Sequence, residues 1–303
     1  MNQQNLHPKV AVVQAAPILF NKKGTVSKTI NLIQEAASNG ANLILFPEAF
    51  IPCYPRGLSF GMVVGSRTGD GRGLWQQYWE NSIDVPGPET RSIAEAAKTA
   101  GAYVVIGVME RSGGTLYCSM LYFGPGGTLL GNHRKLKPTG SERLIWGEGN
   151  GSGLISVDSE YGKLGGLICW ENYMPLARMA MYQQRVDIYL APTADSRDTW
   201  QATMQHIAQE GRCFVLGCNQ YVTKDMYPKD LPLKEELESQ PDEMCRGGSV
   251  IVNPMGHVIA GPLFGEEGIL YADLDMNEVV RGKLDFDVVG HYNRPDVFDF
   301  QVK

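Results

Sequence analysis

The sequence predicts a layered α/β fold. Several apolar runs have no polar face, which is typical of strands covered on both sides. Segments with apolar residues at helical spacing lie between these runs. Hydrophobic residues make up 43% and charged residues 20% of the 303 positions, as in an ordinary globular protein. We therefore expect sheets covered by layers of helices.

The elements expected in the first half are a strand over 9–16, a helix with the period Val26, Ile30, Ile33 and Ala37, a strand over 42–46, a helix over 91–99 and a strand over 103–108. Pro17 ends the first strand, because proline cannot continue a sheet ladder. Asn39-Gly40 supplies the left-handed residue that ends many helices.

The elements expected in the second half are strands over 164–168, 188–191 and 214–218, with helices over 176–184 and 200–211 between them. Trp200, Met204 and Ile207 define one face of the later helix. Two stretches, 121–131 and 250–261, each place apolar strands around a Pro/Gly turn and predict hairpins. Their likeness suggests two related halves.

No segment has the composition of a linker between domains. The polar stretch 224–242 is interpreted as a long surface loop, so we expect a single domain over 1–303. Two glycine-rich stretches, GDGRG at 69–73 and GEGNGSG at 147–153, lack the Walker A lysine and a G-x-G-x-x-G pattern after a strand. Both are interpreted as loops.

Charge and hydropathy exclude several classes of protein. With 27 basic and 33 acidic side chains the net charge is −6, which argues against a nucleic-acid-binding protein. The N-terminus has no apolar stretch of a signal peptide, and no window resembles a membrane span. We expect a cytoplasmic protein without membrane partners.

The cysteines and histidines predict neither disulfides nor a metal site. The six cysteines are too few for a disulfide scaffold and form no C-x-x-C pair, so we expect reduced thiols. The five histidines are scattered singly, without H-x-H or H-E-x-x-H spacing. His133 is expected to be a structural hydrogen-bonding residue.

Three reactive side chains follow apolar strands. Glu48 follows NLILFP, Lys135 follows TLLGNHR and Cys169 ends KLGGLIC. Ligands of open α/β sheets bind outside the carboxyl ends of strands, so these three positions are candidates for a functional site. Each residue alone also has an ordinary interpretation: a loop carboxylate, an exposed basic residue and a small buried hydrophobe. Together they supply a base, a cation and a nucleophile.

Three segments resemble the nitrilase, or carbon-nitrogen hydrolase, superfamily. FPEAF around Glu48, HRKLKPT around Lys135 and CWEN around Cys169 are similar to its catalytic segments, in the same order. The resemblance covers nearly the whole chain. It implies an α-β-β-α sandwich, with two sheets between helix layers, and a Glu-Lys-Cys triad. It also implies homodimers or higher homo-oligomers and no metal or organic cofactor.

The residues after Cys169 resemble the true nitrilase branch, near plant and related bacterial nitrilases. Cys-Trp-Glu is typical of that branch, whereas amidases of the superfamily have Cys-Tyr-Asp or Cys-Phe-Asp. The implied substrate is a small-molecule nitrile, hydrolysed to the carboxylic acid and ammonia. An amidase of the same superfamily remains an alternative, as does a non-catalytic binding protein on the same fold.

The resemblance also implies roles for individual residues. Glu48 is expected to be the general base, Lys135 the cation near the tetrahedral intermediate and Cys169 the nucleophile. Glu142 is expected to support Lys135 and the substrate or water.

Two further residues are expected at the substrate: the backbone N–H of Trp170 as an oxyanion donor, and Tyr54 as a binding residue. Cys53 departs from the glycine common in nitrilases, and its thiol is expected to affect the pocket or its sensitivity to oxidation.

Overall fold

The computed structural model describes residues 7–303. Residues 1–6, which include most of the N-terminus judged to lack a signal peptide, lie outside the described part. The strands are β1 (Lys9–Gln14), β2 (Leu43–Leu45), β3 (Met62–Val63), β4 (Ser66–Arg67), β5 (Ile83–Asp84), β6 (Tyr103–Ser112), β7 (Thr115–Phe123), β8 (Leu129–Arg134), β9 (Ser156–Ser159), β10 (Gly162–Gly166), β11 (Ile188–Pro192), β12 (Phe214–Cys218), β13 (Tyr221–Thr223), β14 (Glu243–Val252), β15 (Val258–Phe264) and β16 (Gly268–Asp273).

Six α-helices of the described residues lie between or after these strands. They are α1 (Lys22–Ser38), α2 (Gly69–Asn81), α3 (Pro88–Ala100), α4 (Pro175–Gln183), α5 (Thr199–Gly211) and α6 (Asn277–Gly282). The sequence predicts four of them, α1, α3, α4 and α5. No helix within residues 7–303 is both long enough and apolar enough to cross a membrane.

Two sheets with matching strand patterns form the centre of the molecule. The first has the order β16-β1-β2-β6-β7-β8, with β5 paired to β6, and the second has the order β13-β14-β12-β11-β10-β9, with β15 paired to β14. In each sheet three parallel strands are followed by an antiparallel hairpin, β7–β8 in the first and β14–β15 in the second. The predicted hairpins and the similarity of the two halves are confirmed.

Alternating side chains divide the core into layers. In β1, Val10 and Val12 face a central cluster that also contains Leu190 and Leu216 of the second sheet. The intervening Ala11 and Val13 instead pack with residues of α1 and α3. Residues of α4 and α5 cover the outer face of the second sheet in the same way. The arrangement is helix, sheet, sheet, helix, so the predicted α-β-β-α sandwich is confirmed.

The interpretation of GDGRG as a loop is wrong, because residues 69–73 form the start of α2. Thr68 caps this helix by accepting a hydrogen bond from the Gly71 N–H at 3.0 Å. A side chain at Gly71 would meet the carbonyl oxygen of Phe60 at 2.1 Å, so the glycine permits a close approach of two backbone segments. The helix is held by its buried Leu74 and Tyr78. The other glycine-rich stretch, 147–153, is a loop with one short 3-10 turn.

One predicted strand boundary and the predicted surface position of one loop also change. The strand expected over 164–168 is β10, which ends at Gly166, so that Cys169 lies in a turn rather than at the last strand position. The segment 224–242 has no strand and no α-helix, as expected of a loop. It is not confined to the surface, however, because Tyr227, Leu231 and Leu237 are buried in the central cluster.

Candidate active site

Glu48 lies three residues after β2, in a segment whose backbone packs closely against Gly107 of β6. The Gly107 N–H donates to the carbonyl of Pro47 at 3.1 Å, and the Phe50 N–H donates to the carbonyl of Gly107 at 2.8 Å. A Cβ atom at Gly107 would lie 2.3 Å from the Pro47 oxygen, so a larger residue there would displace the Glu48 segment. As a result the Glu48 side chain is completely buried between the two sheets.

Lys135 joins two buried carboxylates. Its Nζ donates to Glu48 Oε1 at 2.6 Å and to Glu142 Oε2 at 2.8 Å. The Lys135 N–H donates to the carbonyl of Cys118 at 2.7 Å, which extends the β7–β8 ladder by one residue and directs the chain into the site. Burial acts to lower the pKa of Lys135, but the adjacent carboxylates raise it well above its ordinary value. The lysine is therefore a cation.

Glu142 has partners for both carboxylate oxygens. Oε2 accepts from Lys135 and from the Thr139 N–H at 2.6 Å, and Oε1 accepts from the Tyr54 hydroxyl at 2.7 Å. The bond to Thr139 belongs to a capping box at the 3-10 turn Gly140–Leu144. Glu142 thus lies where the sequence places it, in contact with the lysine, and Tyr54 reaches the same carboxylate.

The Glu48 carboxylate differs in having one oxygen without a partner. Besides Lys135, Oε1 accepts a weak bond from the Cys118 thiol at 3.6 Å. Within residues 7–303, Oε2 has no hydrogen-bond partner although it is buried. Burial raises the pKa of Glu48, and the Lys135 cation offsets only part of this effect. The site therefore contains a proton acceptor with a free oxygen and a raised pKa.

The chain turns sharply at Cys169, which follows β10 and is the first residue of the 3-10 turn Cys169–Tyr173. Its φ of 51° is in the left-handed region, which is unusual for a residue with a side chain and is typical of functional turns. The residue Cys169 is 5% exposed. Burial raises the pKa of Cys169 far above its ordinary value, and the charge of Glu48 raises it further. At rest the sulfur is thus a protonated thiol near a carboxylate.

Glu171 joins the Cys169 turn to the end of β8, on either side of Lys135. Its Oε2 accepts from the Ile168 N–H at 2.8 Å and contacts His133 Nε2 at 2.9 Å, and its Oε1 accepts from the Leu136 N–H at 2.5 Å. His133 Nδ1 contacts the carbonyl of Gly153 at 2.9 Å. The expectation that His133 is a structural hydrogen-bonding residue is confirmed.

A cavity of about 230 Å³ opens at the Cys169 thiol. It is lined by Tyr54, Arg56, Thr139, Glu142, Cys169, Trp170, Ala194, Asp195, Ser196 and Arg197. Trp170 is 40% exposed, and its ring N–H donates to Asp195 Oδ2 at 2.8 Å. The guanidinium of Arg197 lies 4.7 Å from the centre of the Trp170 ring and bonds to Asp195. These three residues form one side of the mouth of the cavity.

Cys53 does not line this cavity. It is completely buried, and burial raises its pKa to about 12. Because burial and a raised pKa both slow the oxidation of a thiol, the structure does not support the expectation that Cys53 affects the pocket or its sensitivity to oxidation. All six cysteines are free, as expected. In the described part of the chain, no three His, Cys, Asp or Glu side chains are grouped closely enough to hold a metal ion.

The sequence reasoning missed several residues that hold the site together. Thr193 donates to Cys169 Sγ, and Gln220 Nε2 donates to the carbonyl of Glu48 at 2.6 Å. Both follow predicted strands, so the rule that selected Glu48 and Cys169 also identifies these positions. Neither is charged or strongly nucleophilic, and this is why a search for reactive side chains passed over them.

The sequence model of the family described as "Carbon-nitrogen hydrolase" matches residues 9–283 of this chain, which include Glu48, Lys135 and Cys169. The chain belongs to the carbon-nitrogen hydrolase family.

Relatives of this carbon-nitrogen hydrolase are named as nitrilases in bacteria and plants. An aliphatic nitrilase of Sinorhizobium fredii is 54% identical, over 97% of this chain and 95% of that protein. A nitrilase of Bradyrhizobium diazoefficiens is 52% identical, over 99% of this chain and 93% of that protein. A bifunctional nitrilase/nitrile hydratase of Lupinus angustifolius is 50% identical, over 97% and 86%. The expected membership of the nitrilase branch is confirmed.

Solved structures support the fold of this carbon-nitrogen hydrolase. A Helicobacter pylori carbon-nitrogen hydrolase matches with a TM-score of 0.75 and 19% identity, covering 97% of each chain. A Saccharomyces cerevisiae member of branch 10 of the nitrilase superfamily matches with a TM-score of 0.72 and 18% identity, over 95% of this chain and 97% of that one. At this identity the likeness concerns the fold alone.

Proposed function

We propose that this chain is a nitrilase, which hydrolyses an organic nitrile to the carboxylic acid and ammonia. The observation that carries the proposal is the buried cluster in which Lys135 joins Glu48 and Glu142 beside the Cys169 thiol. The names of relatives at about half identity give the reaction class. A thiol nucleophile with a carboxylate base is suited to the electrophilic carbon of a nitrile.

The first half of the reaction forms a thioimidate. Glu48 accepts the proton of the Cys169 thiol, and the sulfur electron pair forms a bond to the nitrile carbon. One π pair of the nitrile moves to nitrogen, which receives the proton from Glu48. The raised pKa of Glu48 suits this exchange, because a base with a pKa nearer neutrality both accepts and returns a proton.

The second half consumes two water molecules. Water adds to the thioimidate carbon, and one of its protons passes through Glu48 to the nitrogen. Its second proton follows the same route as the carbon–oxygen double bond forms, so that ammonia leaves and a thioester remains. A second water hydrolyses the thioester, releasing the acid and restoring the thiol. Lys135 and the Trp170 N–H are proposed to stabilise the negative charge of the tetrahedral states. If the first tetrahedral state expels the thiol instead of ammonia, an amide is released.

Glu142 and Tyr54 are proposed to act around this centre. Glu142 holds Lys135 against Glu48 and borders the cavity, where a water or the substrate nitrogen has access to it. The Tyr54 hydroxyl is bonded to Glu142 and lines the same cavity, so it borders the bound substrate.

The alternative functions are less well supported. Amidases occur among the similar structures, but at 17% to 18% identity, whereas the relatives at 46% to 54% identity are all named as nitrilases. A binding protein without activity has no need for a buried lysine between two carboxylates, because burying charges costs free energy.

Three broader expectations accompany the proposal: a single domain over 1–303, a cytoplasmic location and assembly into homodimers or larger homo-oligomers. Free, buried cysteines agree with a reducing compartment. Light scattering on the purified chain measures its assembly directly, and a monomer at micromolar concentration would contradict the last expectation.

The test of the function is ammonia release from matched nitriles and amides. We expect turnover of nitriles by the wild type and none by Cys169→Ala. Cys213→Ala is the matched control, since it removes a buried thiol from the core between the second sheet and its helices. Turnover of amides alone would move the protein to the amidase class, and a fully active Cys169→Ala would contradict the mechanism.

A further inference from the structure

Thr193 lies one residue beyond β11 and touches the proposed nucleophile. Its Oγ1 is 3.1 Å from Cys169 Sγ, within hydrogen-bond distance for sulfur, and the threonine is completely buried. Since β10 and β11 are parallel neighbours, their carboxyl ends bring the two residues to the same edge of the second sheet. The contact is therefore a product of the sheet topology.

The hydrogen bonds around Thr193 leave its hydroxyl hydrogen available for donation to the sulfur. The Asp195 N–H donates to Oγ1 at 2.9 Å and so occupies a lone pair of the hydroxyl. A hydroxyl has one hydrogen and two lone pairs, and that hydrogen remains available for the sulfur. The Thr193 N–H donates to the carbonyl of Cys218 at 2.8 Å, which fixes the backbone. A β-branched side chain is also restricted at χ1, so the donor is held in place.

We propose that Thr193 is a catalytic residue, which donates a hydrogen bond to the Cys169 sulfur and stabilises the thiolate as it forms and as it leaves. This inference rests on the proposed function for its role in turnover. Thr193 keeps its own proton throughout: the thiol proton passes to Glu48, the sulfur pair forms the carbon–sulfur bond, and the nitrile nitrogen takes the proton from Glu48. When the thioester is hydrolysed, the same hydroxyl stabilises the departing sulfur.

Thr193 and Lys135 stabilise the thiolate in different ways. The Lys135 ammonium forms its hydrogen bonds to Glu48 and Glu142, so it acts on the sulfur through its charge. Among residues 7–303, Thr193 is the residue whose side chain donates a hydrogen bond to Cys169 Sγ. Burial and the Glu48 charge raise the pKa of Cys169, whereas the Lys135 charge and the Thr193 hydrogen bond lower it. The hydroxyl thus acts together with the lysine against the influences that keep the sulfur protonated.

The test compares Thr193→Val, which keeps the shape and loses the hydroxyl, with Thr193→Ser, which keeps the hydroxyl. We expect kcat/KM for the best nitrile to fall roughly ten- to hundredfold in Thr193→Val, mostly through kcat, because a hydrogen bond to a charged group is lost. Thr193→Ser should remain within about threefold of the wild type, since it retains the donor. A serine variant as impaired as the valine variant would overturn the proposal.

A second readout needs no nitrile. The rate of iodoacetamide alkylation at Cys169 is measured at pH 8 by mass spectrometry of its peptide. Below the pKa of the thiol this rate follows the thiolate fraction, so we expect it to fall roughly ten- to hundredfold in Thr193→Val and to stay near the wild-type value in Thr193→Ser. An unchanged rate in Thr193→Val would overturn the proposal. Because this assay is independent of substrate, a wild type without nitrilase activity would disprove the proposed function and still leave the thiolate bond testable.

One variant separates this effect from disturbance of the cavity mouth. Arg197→Lys loses the planar contact with Asp195 but keeps the positive charge near Cys169, and we expect it to change KM without changing the alkylation rate of Cys169. If its alkylation rate falls as far as that of Thr193→Val, Thr193 acts through the mouth and the proposal fails. Should Thr193→Val not fold, Thr193→Ala replaces it, because alanine places no methyl group against the Asp195 N–H, and the same loss of alkylation rate is expected.

Discussion

Two buried glutamates in the same site have opposite surroundings. Glu171 has partners for both oxygens, from two backbone N–H groups and His133. Glu48 has a strong partner, Lys135, on one oxygen and within residues 7–303 no partner on the other. Both are within 1% of complete burial. The comparison suggests that free bonding capacity, rather than burial, distinguishes a reactive carboxylate from a structural one.

The largest expected effect comes from Glu48→Gln, which removes the proposed base while keeping its shape. We expect kcat/KM to fall about a hundred- to ten-thousandfold, the range of general-base catalysis. The thermal midpoint should change little, because Lys135 keeps its bond to Glu142. Steady-state kinetics and thermal unfolding measure the two quantities. Near-normal activity in Glu48→Gln would contradict the distinction between the two glutamates.

The raised pKa of Glu48 also predicts the pH dependence of the wild type. As pH falls, kcat/KM should begin to decrease at a pH above the range in which an ordinary carboxyl group titrates, because Glu48 is protonated there.

Lys135→Met is expected to affect both activity and stability. Without Lys135, the buried carboxylates of Glu48 and Glu142 would face each other with no cation between them. We expect a loss of about 5 kcal/mol in the free energy of unfolding at neutral pH, as when a buried ion pair loses one partner. Urea denaturation measures it.

Lys137→Met is the matched control for that variant. Lys137 pairs with Glu148 at the surface, where both side chains are about half exposed. Such a pair contributes at most about 1 kcal/mol. Equal losses of stability in the two lysine variants would show that the buried cluster is less tightly coupled than its geometry indicates.

Glu171→Gln should mainly destabilise the protein. The amide cannot accept the bonds of Ile168, Leu136 and His133 together, so we expect a loss of about 2–3 kcal/mol in the free energy of unfolding. Any loss of activity should be smaller than in Glu48→Gln. The same urea denaturation and kinetics compare the two variants. If Glu171→Gln proves more damaging to kcat than to stability, Glu171 has a chemical role and the distinction drawn above is wrong.

The smallest expected effect is the pH dependence of the His133–Glu171 pair. Burial acts to lower the pKa of His133, but the Glu171 carboxylate raises it, and the net direction is above the ordinary value of 6.5. A group with a raised pKa in the folded state stabilises the protein fully below its unfolded pKa and loses that contribution as pH rises through the folded pKa. The difference in unfolding free energy between wild type and His133→Gln should therefore shrink above pH 6.5, by about 1 kcal/mol. A difference that grows with pH would contradict this sign.

The surroundings of these two glutamates also show which parts of the site can be predicted from the sequence. Glu48, Lys135 and Cys169 were predicted because strand ends are visible as apolar runs and their side chains are reactive. The partnership of Glu171 with His133 spans 38 positions and depends on how the two sheets face each other, so no local pattern reveals it. Helix α2 was missed for a different reason, since three glycines in its first turns obscure the helical period.

The most direct test of the account is to identify the residue that carries the covalent intermediate. The enzyme is quenched with acid during nitrile turnover, and its peptides are mapped by mass spectrometry. The account predicts the acyl or imidoyl group of the substrate on Cys169 and its absence from that peptide in Glu48→Gln. A substrate-derived group on Cys118 or Cys53, or turnover without any covalent group in the wild type, would contradict it.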